Sequence, residues 1–408
     1  MQAQTPHRKA EGPSWIGDVV RRATERVPFY RSHLAGVNPA DFGSLPSFDK
    51  RKTAGWGPFP LSADGAAGAH RVVTTSGTSG DRLWVAFDTP DWERTGAWLE
   101  AIGRRAGLGQ GDALLNTHCY GLWVGGPALD QLAHRSETCL VPIGPDDPVR
   151  VLEFLAGGVG SAISATPSYL RRLVEAADGR GFDLTQTGLR VGFIGAEPAE
   201  QTLRDRLMSR LPDGFSWVEL YGLTETAGPS VAYSPDPDVA ELALNVADFR
   251  IEVLDLEADE PVPSGAIGEL TITSTWADAR TPLIRYRTRD LVRVTAGDPI
   301  APTRVSRILG RCDHSLKICG VLVYPSSVAD VVSEVLPASS EWRAVIRRNR
   351  EDDELLVDAE ASPSVCERVH DAFRARLGLH VTVNPVGRGT LERSRTKTQR
   401  ILVQSPAP

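Results

Sequence analysis

Apolar and polar positions repeat along this chain with two different periods, and the changes of period mark its elements. Residues 15–27 place their apolar positions at helical spacing. Val72-Val73 reads as a short strand that runs into Thr74-Thr75-Ser76-Gly77-Thr78-Ser79-Gly80, with 84–87 as the returning strand and 91–105 as a helix. The short apolar runs 113–115, 161–164 and 191–194 fit buried strands, and helical spacing appears between and after them at 122–134, 149–155, 167–177 and 198–211. Such alternation predicts βαβ units and a mostly parallel sheet. After Pro229 the texture changes: 250–254, 269–273 and 291–294 read as antiparallel strands between Pro- and Gly-rich turns. Beyond Gly310-Arg311 a compact α+β segment is expected, with strands 321–324, 342–347, 355–359 and 381–385 and helices 326–336 and 364–377. The expectation is an α/β protein. A large domain, 1–312, combines parallel sheet and helices with a β-rich subdomain, and a small α+β domain, 313–408, begins near Asp313.

Charge and composition narrow the partners. The chain has 408 residues with 45 Lys+Arg against 52 Asp+Glu, a net charge of −7, and no long basic run. Binding to nucleic acid needs a basic footprint, so it is not expected. No stretch approaches 18 uninterrupted apolar residues, and MQAQTPHRKAEGPSW has no apolar signal core, so the reading is a cytoplasmic protein without a membrane span. The cysteines number five, too few and too scattered for a disulfide framework. Cys312-Asp-His314 with Cys319 lacks a second pair for a tetrahedral zinc site, and His118, Cys119, His134 and Cys139 read as packing residues for the same reason.

Five segments carry candidate chemistry. Thr74–Gly80 sets hydroxyls and glycines between two strands, which suits a phosphate cradle, although no Gly-Lys-Ser/Thr follows as in a Walker A loop. Tyr221-Gly222-Leu223-Thr224-Glu225 follows an apolar strand. Arg285-Tyr286-Arg287-Thr288-Arg289-Asp290, then Gly310-Arg311-Cys312-Asp313 with Lys317 and Gly320, and finally Arg393-Ser394-Arg395-Thr396-Lys397-Thr398-Gln399-Arg400 complete the set. Each alone fits a solvated loop. Their order and separation are specific.

Together they resemble the adenylate-forming superfamily of acyl-CoA synthetases, adenylation domains and luciferases, in its phenylacetate–CoA ligase-like branch. The resemblance covers nearly the whole chain. Val27-Pro28-Phe29-Tyr30-Arg31 resembles the branch's first helix exit, Tyr120-Gly121-Leu122-Trp123-Val124-Gly125-Gly126 its aromatic-substrate segment, and Gly195-Ala196-Glu197-Pro198 its adenine-side motif. The resemblance implies activation of an aromatic carboxylic acid by ATP and Mg²⁺ to an acyl-adenylate, then transfer to coenzyme A. Thr75, Ser76, Gly77, Thr78 and Gly80 would hold the β,γ-phosphates, and Tyr221, followed by Gly222, would stack on adenine opposite Gly195, Ala196, Glu197 and Pro198. Thr224 would reach the α-phosphate, Glu225 the Mg²⁺, and Asp290 and Arg311 the ribose. Lys397 would be the catalytic lysine of a small lid domain that rotates about the hinge Asp313, bringing Gly320 to the coenzyme A passage. Tyr120, Gly121, Trp123, Gly126, Gly195, Ala227, Gly228 and Pro229 would line a flat apolar slot for the acid. Thr226 and Ala227, small where relatives are bulky, would leave room for ring substituents and favour a hydroxy- or aminobenzoate-type acid. The family also implies a homodimer.

The sequence departs from the branch at two places. Asp81 precedes Arg82 where relatives carry a basic residue after the glycine-rich loop, which leaves the phosphate contact to Arg82. The relatives' cysteines and histidine after the Tyr-Gly-x-Thr-Glu motif, and their Cys-x-Cys before Gly-Arg, have no counterparts here, so their structural zinc is not expected. Alternatives for the second step are transfer to a carrier-protein pantetheine or to an amine. A non-catalytic ATP-binding relative is disfavoured by the retained Thr224, Glu225, Asp290, Arg311 and Lys397.

Overall fold

The βαβ alternation and the antiparallel run that follows it close into one sheet. The computed structural model describes residues 14–39, 41–75, 82–145, 147–199, 201–236, 239–312, 316–318, 321–323, 325–337, 340–347, 354–392 and 400–404. Helices α1 (Ser14–Arg26) and α2 (Pro28–His33) lead to a two-stranded ribbon, β1 (Arg71–Thr74) and β2 (Trp84–Phe87). Then come α3 (Thr89–Arg105), β3 (Ala113–Asn116), α4 (Gly125–Arg135), β4 (Cys139–Pro142), α5 (Pro148–Ala156), β5 (Ala162–Ala165), α6 (Pro167–Arg180), β6 (Val191–Gly195), α7 (Gln201–Met208) and β7 (Ser216–Leu223). The antiparallel part is β8 (Gly228–Tyr233), β9 (Glu241–Leu244), β10 (Phe249–Leu254), β11 (Ile267–Ser274), β12 (Tyr286–Asp298), β13 (Ala301–Ser306) and β14 (Gly310–Arg311).

Strands β4, β3, β5, β6 and β7 lie parallel in that order, and β7 pairs antiparallel with β8 to continue into β9, β13, β12, β11 and β10. The β-rich subdomain is therefore an extension of the parallel sheet. Alternate residues of the central strands supply two cores. Leu114, Phe193 and Val218 face the side covered by α3 and α4, whereas Leu115, Ile194 and Trp217 face α5, α6 and α7. Burial of each such side chain is worth about 1.5–3 kcal/mol, which is why these strands read as continuous apolar runs. Local signals fix the helix ends. Thr166 caps α6 through its hydroxyl with Pro167 at the first position, and Gly181 ends the helix in the left-handed region.

The remaining elements are β15 (Leu316–Ile318), β16 (Val321–Val323), α8 (Pro325–Val335), β17 (Trp342–Arg347), β18 (Glu354–Ala359), α9 (Pro363–Leu377), β19 (Thr382–Pro385) and β20 (Ile401–Gln404). Their four-stranded sheet runs β19-β18-β17-β20 and has its own core, from Val323 to Ile401. Among the described residues, no helix is long and apolar enough to cross a membrane, and no group of three or more His, Cys, Asp or Glu is placed to hold a metal.

Candidate active site

The carboxyl ends of β3, β5, β6 and β7 open on one side of the sheet, where ligands of α/β proteins commonly sit. The turn after β7 is built from backbone constraints. A Cβ at Gly222 would lie 1.9 Å from the Gly228 carbonyl oxygen, so the β7–β8 hairpin can approach this closely only at glycine. The pairing slips between Tyr221 and Leu223, and Ala227 follows with φ +60°. Thr226 locks this turn, its hydroxyl lying 3.1 Å from the carbonyl oxygens of both Leu223 and Gly228. That hydroxyl is spent on backbone. With Glu225 and Ala227, Thr226 also lines a hollow behind the turn that includes Asp91 and Trp276, so its expected contribution to the wall of the acid slot is not what the geometry gives it.

The slip sends the motif's side chains different ways. Tyr221 Oη donates to Asp290 Oδ2 at 2.7 Å, and Arg311 Nη1 donates to Asp290 Oδ1 at 3.4 Å, because β12 and β14 pair Asp290 with Arg311. Burial, followed by the adjacent Asp290 charge, raises the Tyr221 phenol well above its ordinary pKa, so it stays a donor. Glu225 is buried and accepts from Tyr286 Oη through Oε1 at 2.6 Å. Burial pushes the Glu225 carboxyl up, against the Tyr286 hydrogen bond and the positive charges of Lys50 and Arg311. Thr224 is half-buried, and no described residue engages its hydroxyl.

The rest of the Arg285–Asp290 segment is framework. Arg285 grips Glu252 with Nε at 3.1 Å and Nη2 at 3.2 Å, and Arg287 reaches Glu269 and Asp259, both at 3.0 Å. Arg285 and Arg289 have φ of +46° and +67°, a backbone strain held by the Glu252 pair of Arg285 and by Glu269, which accepts from Arg289 N at 2.8 Å. Pairing of Phe48 with Arg287 brings Lys50 into the electrostatic reach of Glu225, a link across the chain that no local pattern announces.

The acid-side segment is anchored on β3. Asn116 Nδ2 lies within hydrogen-bond distance of the Gly126 carbonyl oxygen (2.9 Å), Tyr120 Oη (3.0 Å) and Asp130 Oδ1 (2.9 Å), and Tyr120 Oη donates to Asp130 Oδ1 at 2.8 Å. Gly126 is obligatory, since a Cβ there would meet the Cys119 carbonyl oxygen at 2.5 Å. Helix α4 packs against the turn after β7, with Ala128 and Val124 over Gly228, and Thr74 N donates to the Leu122 carbonyl oxygen at 2.9 Å. The structure thus brings Val124 and Ala128 to Gly228 and Leu122 to the strand that enters the glycine-rich loop, with Tyr120 and Gly126 held on Asn116 and Trp123 beside His118. Gly195 is buried against Leu220, Ala196 and Pro198 are exposed, and Glu197 Oε2 accepts from Ser168 N at the start of α6. Thr75 pairs with Leu83 across the ribbon, and Arg82 is exposed. Ser76, Gly77, Thr78, Gly80, Asp313, Gly320 and Lys397 lie outside the described residues. Asn116, Asp130 and Lys50 belong to the site region without belonging to any motif.

The family described as AMP-binding enzyme matches residues 74–277, and its C-terminal domain matches 320–404. The chain is 29% identical over 402 residues to phenylacetate–coenzyme A ligase of Escherichia coli, covering 94% of this chain and 91% of that enzyme. It is 32% identical over 352 residues to the phenylacetate–coenzyme A ligase of Thermus thermophilus, covering 83% and 78%. The fold superposes on a crystal structure of 2-hydroxyisobutyryl-CoA ligase in the postadenylation state with a TM-score of 0.84 at 22% identity, over 96% of this chain and 88% of that one. The chain belongs to the AMP-binding enzymes of the adenylate-forming superfamily and is an AMP-forming ligase of the phenylacetate–coenzyme A ligase type.

Proposed function

We propose that this ligase activates an aromatic carboxylic acid with ATP and transfers the acyl group to coenzyme A. In the first step a carboxylate oxygen attacks the α-phosphorus, and the bond to the β,γ-diphosphate breaks, giving acyl-adenylate and pyrophosphate. In the second, a thiolate attacks the acyl carbon, and AMP leaves with the electron pair of the acyl–oxygen bond. The observation that carries this reading is the chain Tyr221–Asp290–Arg311. It joins the ends of β7, β12 and β14 and sets an aromatic face beside a carboxylate and a guanidinium. An adenine ring stacks on such a face, and a ribose diol donates to such a carboxylate.

Thr224 has a hydroxyl to offer an α-phosphate oxygen. Glu225 fits a magnesium ion: it is a hard oxygen donor, Oε1 bonds one tyrosine, and a cation would favour the ionised form that burial disfavours. When bound, the ion neutralises phosphate charge. Lys397 supplies positive charge where the pentavalent α-phosphorus accumulates negative charge. The small domain alternates about Asp313, so Lys397 serves adenylation and the face near Gly320 serves thiol transfer.

The test is pyrophosphate exchange into ATP over a panel of aryl and alkyl acids, followed by thioester detection with and without coenzyme A. Aryl acids should drive exchange best, and thioester should form only with coenzyme A. Faster exchange with long-chain fatty acids would overturn the aryl reading. Adenylate that is consumed only by a carrier protein or an amine would overturn the coenzyme A reading.

A further inference from the structure

The Asn116–Tyr120–Asp130 assembly places a carboxylate on the side of α4 that faces the carboxyl ends of β3 and β5. Oδ1 of Asp130 accepts from Asn116 and Tyr120. Asn116 is itself fixed, because its Oδ1 accepts from the Ser164 hydroxyl at 2.7 Å and from His118 N at 3.2 Å. No described residue meets Oδ2 of Asp130, and the residue is half-buried. His118, two residues after Asn116, is buried with Nδ1 unpartnered, its ring 5.5 Å from that of Trp123, and burial keeps the imidazole neutral with a pKa of about 4. The His118 ring therefore supplies no cation to neutralise Asp130.

We infer that Asp130 is a specificity-determining residue: Oδ2 accepts a hydrogen bond from an amino or hydroxyl substituent on the ring of the activated acid, remote from its carboxylate. The inference rests on the aryl-acid reading above and narrows it. The register supports the reach. Asn116 pairs with Ser164 on β5, and the neighbouring β6 ends at Gly195, beside the adenylating groups of β7. β7, whose end carries the adenylating groups, lies three strand spacings from β3, roughly 14 Å, a span that a benzoate with one substituent fills together with a contact of about 3 Å at each end. An acid without a donor would cover Oδ2 and leave a carboxylate oxygen desolvated and unpaired, an unfavourable arrangement that a donor relieves. Asn116 and Tyr120 act as positioning residues, since Asn116 spends its polar atoms on Asp130, Tyr120, Ser164 and backbone, and Tyr120 spends its hydroxyl on Asp130 and Asn116, rather than on the slot.

The experiment measures kcat/KM for adenylation on the full chain with matched pairs of acids, each amino- or hydroxybenzoate against its methyl isostere. The wild-type enzyme should prefer the donor-bearing member on the order of 10–100-fold. Asp130→Leu should abolish or invert that ratio while still adenylating the methyl acids, and Tyr120→Phe should reduce it by a smaller factor. Equal use of both members by the wild-type enzyme overturns the inference, and so does a preference that survives in Asp130→Leu. If Asp130→Leu does not fold, the wild-type ratio and Tyr120→Phe decide. Failure of every aryl acid is a distinct result, which removes the aryl-acid reading and this inference together.

Discussion

Two buried arginine–carboxylate assemblies in this protein share their chemistry and differ in what they join. In the first, Arg285 and Arg287 meet Glu252, Glu269 and Asp259 within the antiparallel end of the large sheet. In the second, Glu341 at the start of β17 binds Arg171 of α6 through Oε2 and Arg400 through Oε1, the latter at 2.9 Å. Arg206 of α7 donates to the Leu336 carbonyl oxygen beside it. The first assembly has all its partners on one sheet and its adjoining loop, and none need separate while the fold lasts. The second joins an element packed on the large core to the small sheet, so any rotation of the small domain must separate charges that are now dry. Burying an ion pair gains little over an apolar core, whereas removing one partner costs a great deal. The first assembly therefore works as a frame, and the second works as a clasp that favours one orientation.

The largest effect is expected from breaking the frame. Arg287→Ala leaves the buried Glu269 with only the more distant guanidinium of Arg289, at 3.7 Å, and should destabilise the protein by about 3 kcal/mol, measured by denaturant unfolding. A loss below about 1 kcal/mol would remove the distinction between frame and clasp. Next comes the rotation itself. Lys397→Ala should slow adenylation on the order of 10²–10³-fold while thioester formation from preformed adenylate stays nearly unchanged. Equal losses in both half-reactions would remove alternation, and with it the reason for a clasp.

Weakening the clasp should have a smaller and asymmetric effect. Burial alone would raise the Glu341 carboxyl, but Arg400 and Arg171 outweigh it and hold the group below the ordinary glutamate range. Its stabilisation is therefore present above the unfolded-state pKa and is lost as pH falls through the folded one. Glu341→Gln should shift the balance of half-reactions on the order of tenfold at neutral pH, against whichever half-reaction uses the clasped orientation, since hydrogen bonds to a charged group are worth about 1.5–3 kcal/mol. Stopped-flow measurement of both half-reactions checks this, and an equal change in both would show that the clasp has no preference for orientation.

What the sequence made legible follows from range. Helix ends at Thr166-Pro167 and Gly181 are local and could be read, as could the runs that fill β3, β5 and β6. Strand β4 went unread because its Cys-Leu-Val-Pro is short and partly exposed, without the apolar continuity of a central strand. The merging of the antiparallel strands into the parallel sheet depends on the β7–β8 pairing, which no periodicity encodes. In the site, Tyr221, Glu225, Asp290 and Arg311 stand in recognisable motifs, whereas Asn116 and Asp130 lie fourteen positions apart in no motif and meet only because α4 packs over β3. Thr226 shows the converse. Its place in the motif was clear, yet the slip at Gly222 decides that its hydroxyl turns to backbone. Motifs name residue types, and direction comes from the fold.

The smallest effect sharpens the comparison from a third side, with a buried ionisable group that has no charged partner. His118 has a folded-state pKa of about 4, lowered by burial, against about 6.5 in an unfolded chain. Between those values the unfolded chain binds a proton that the native protein does not, so stability is lost as pH falls from 6.5 toward 4. At pH 5.5 the expected loss is about 1 kcal/mol relative to neutral pH, against nothing from this position in His118→Leu. Glu341 acts in a lower range, below the ordinary glutamate value, so the two contributions separate along the pH axis. Unfolding free energies of the wild-type protein and His118→Leu at pH 7.5 and 5.5 give the measurement. The difference between the two proteins should shrink or reverse at the lower pH. A difference that stays constant would mean that His118 is protonated in the native state or reached by water, and that its burial beside Trp123 does not keep the charge out of this side of the slot.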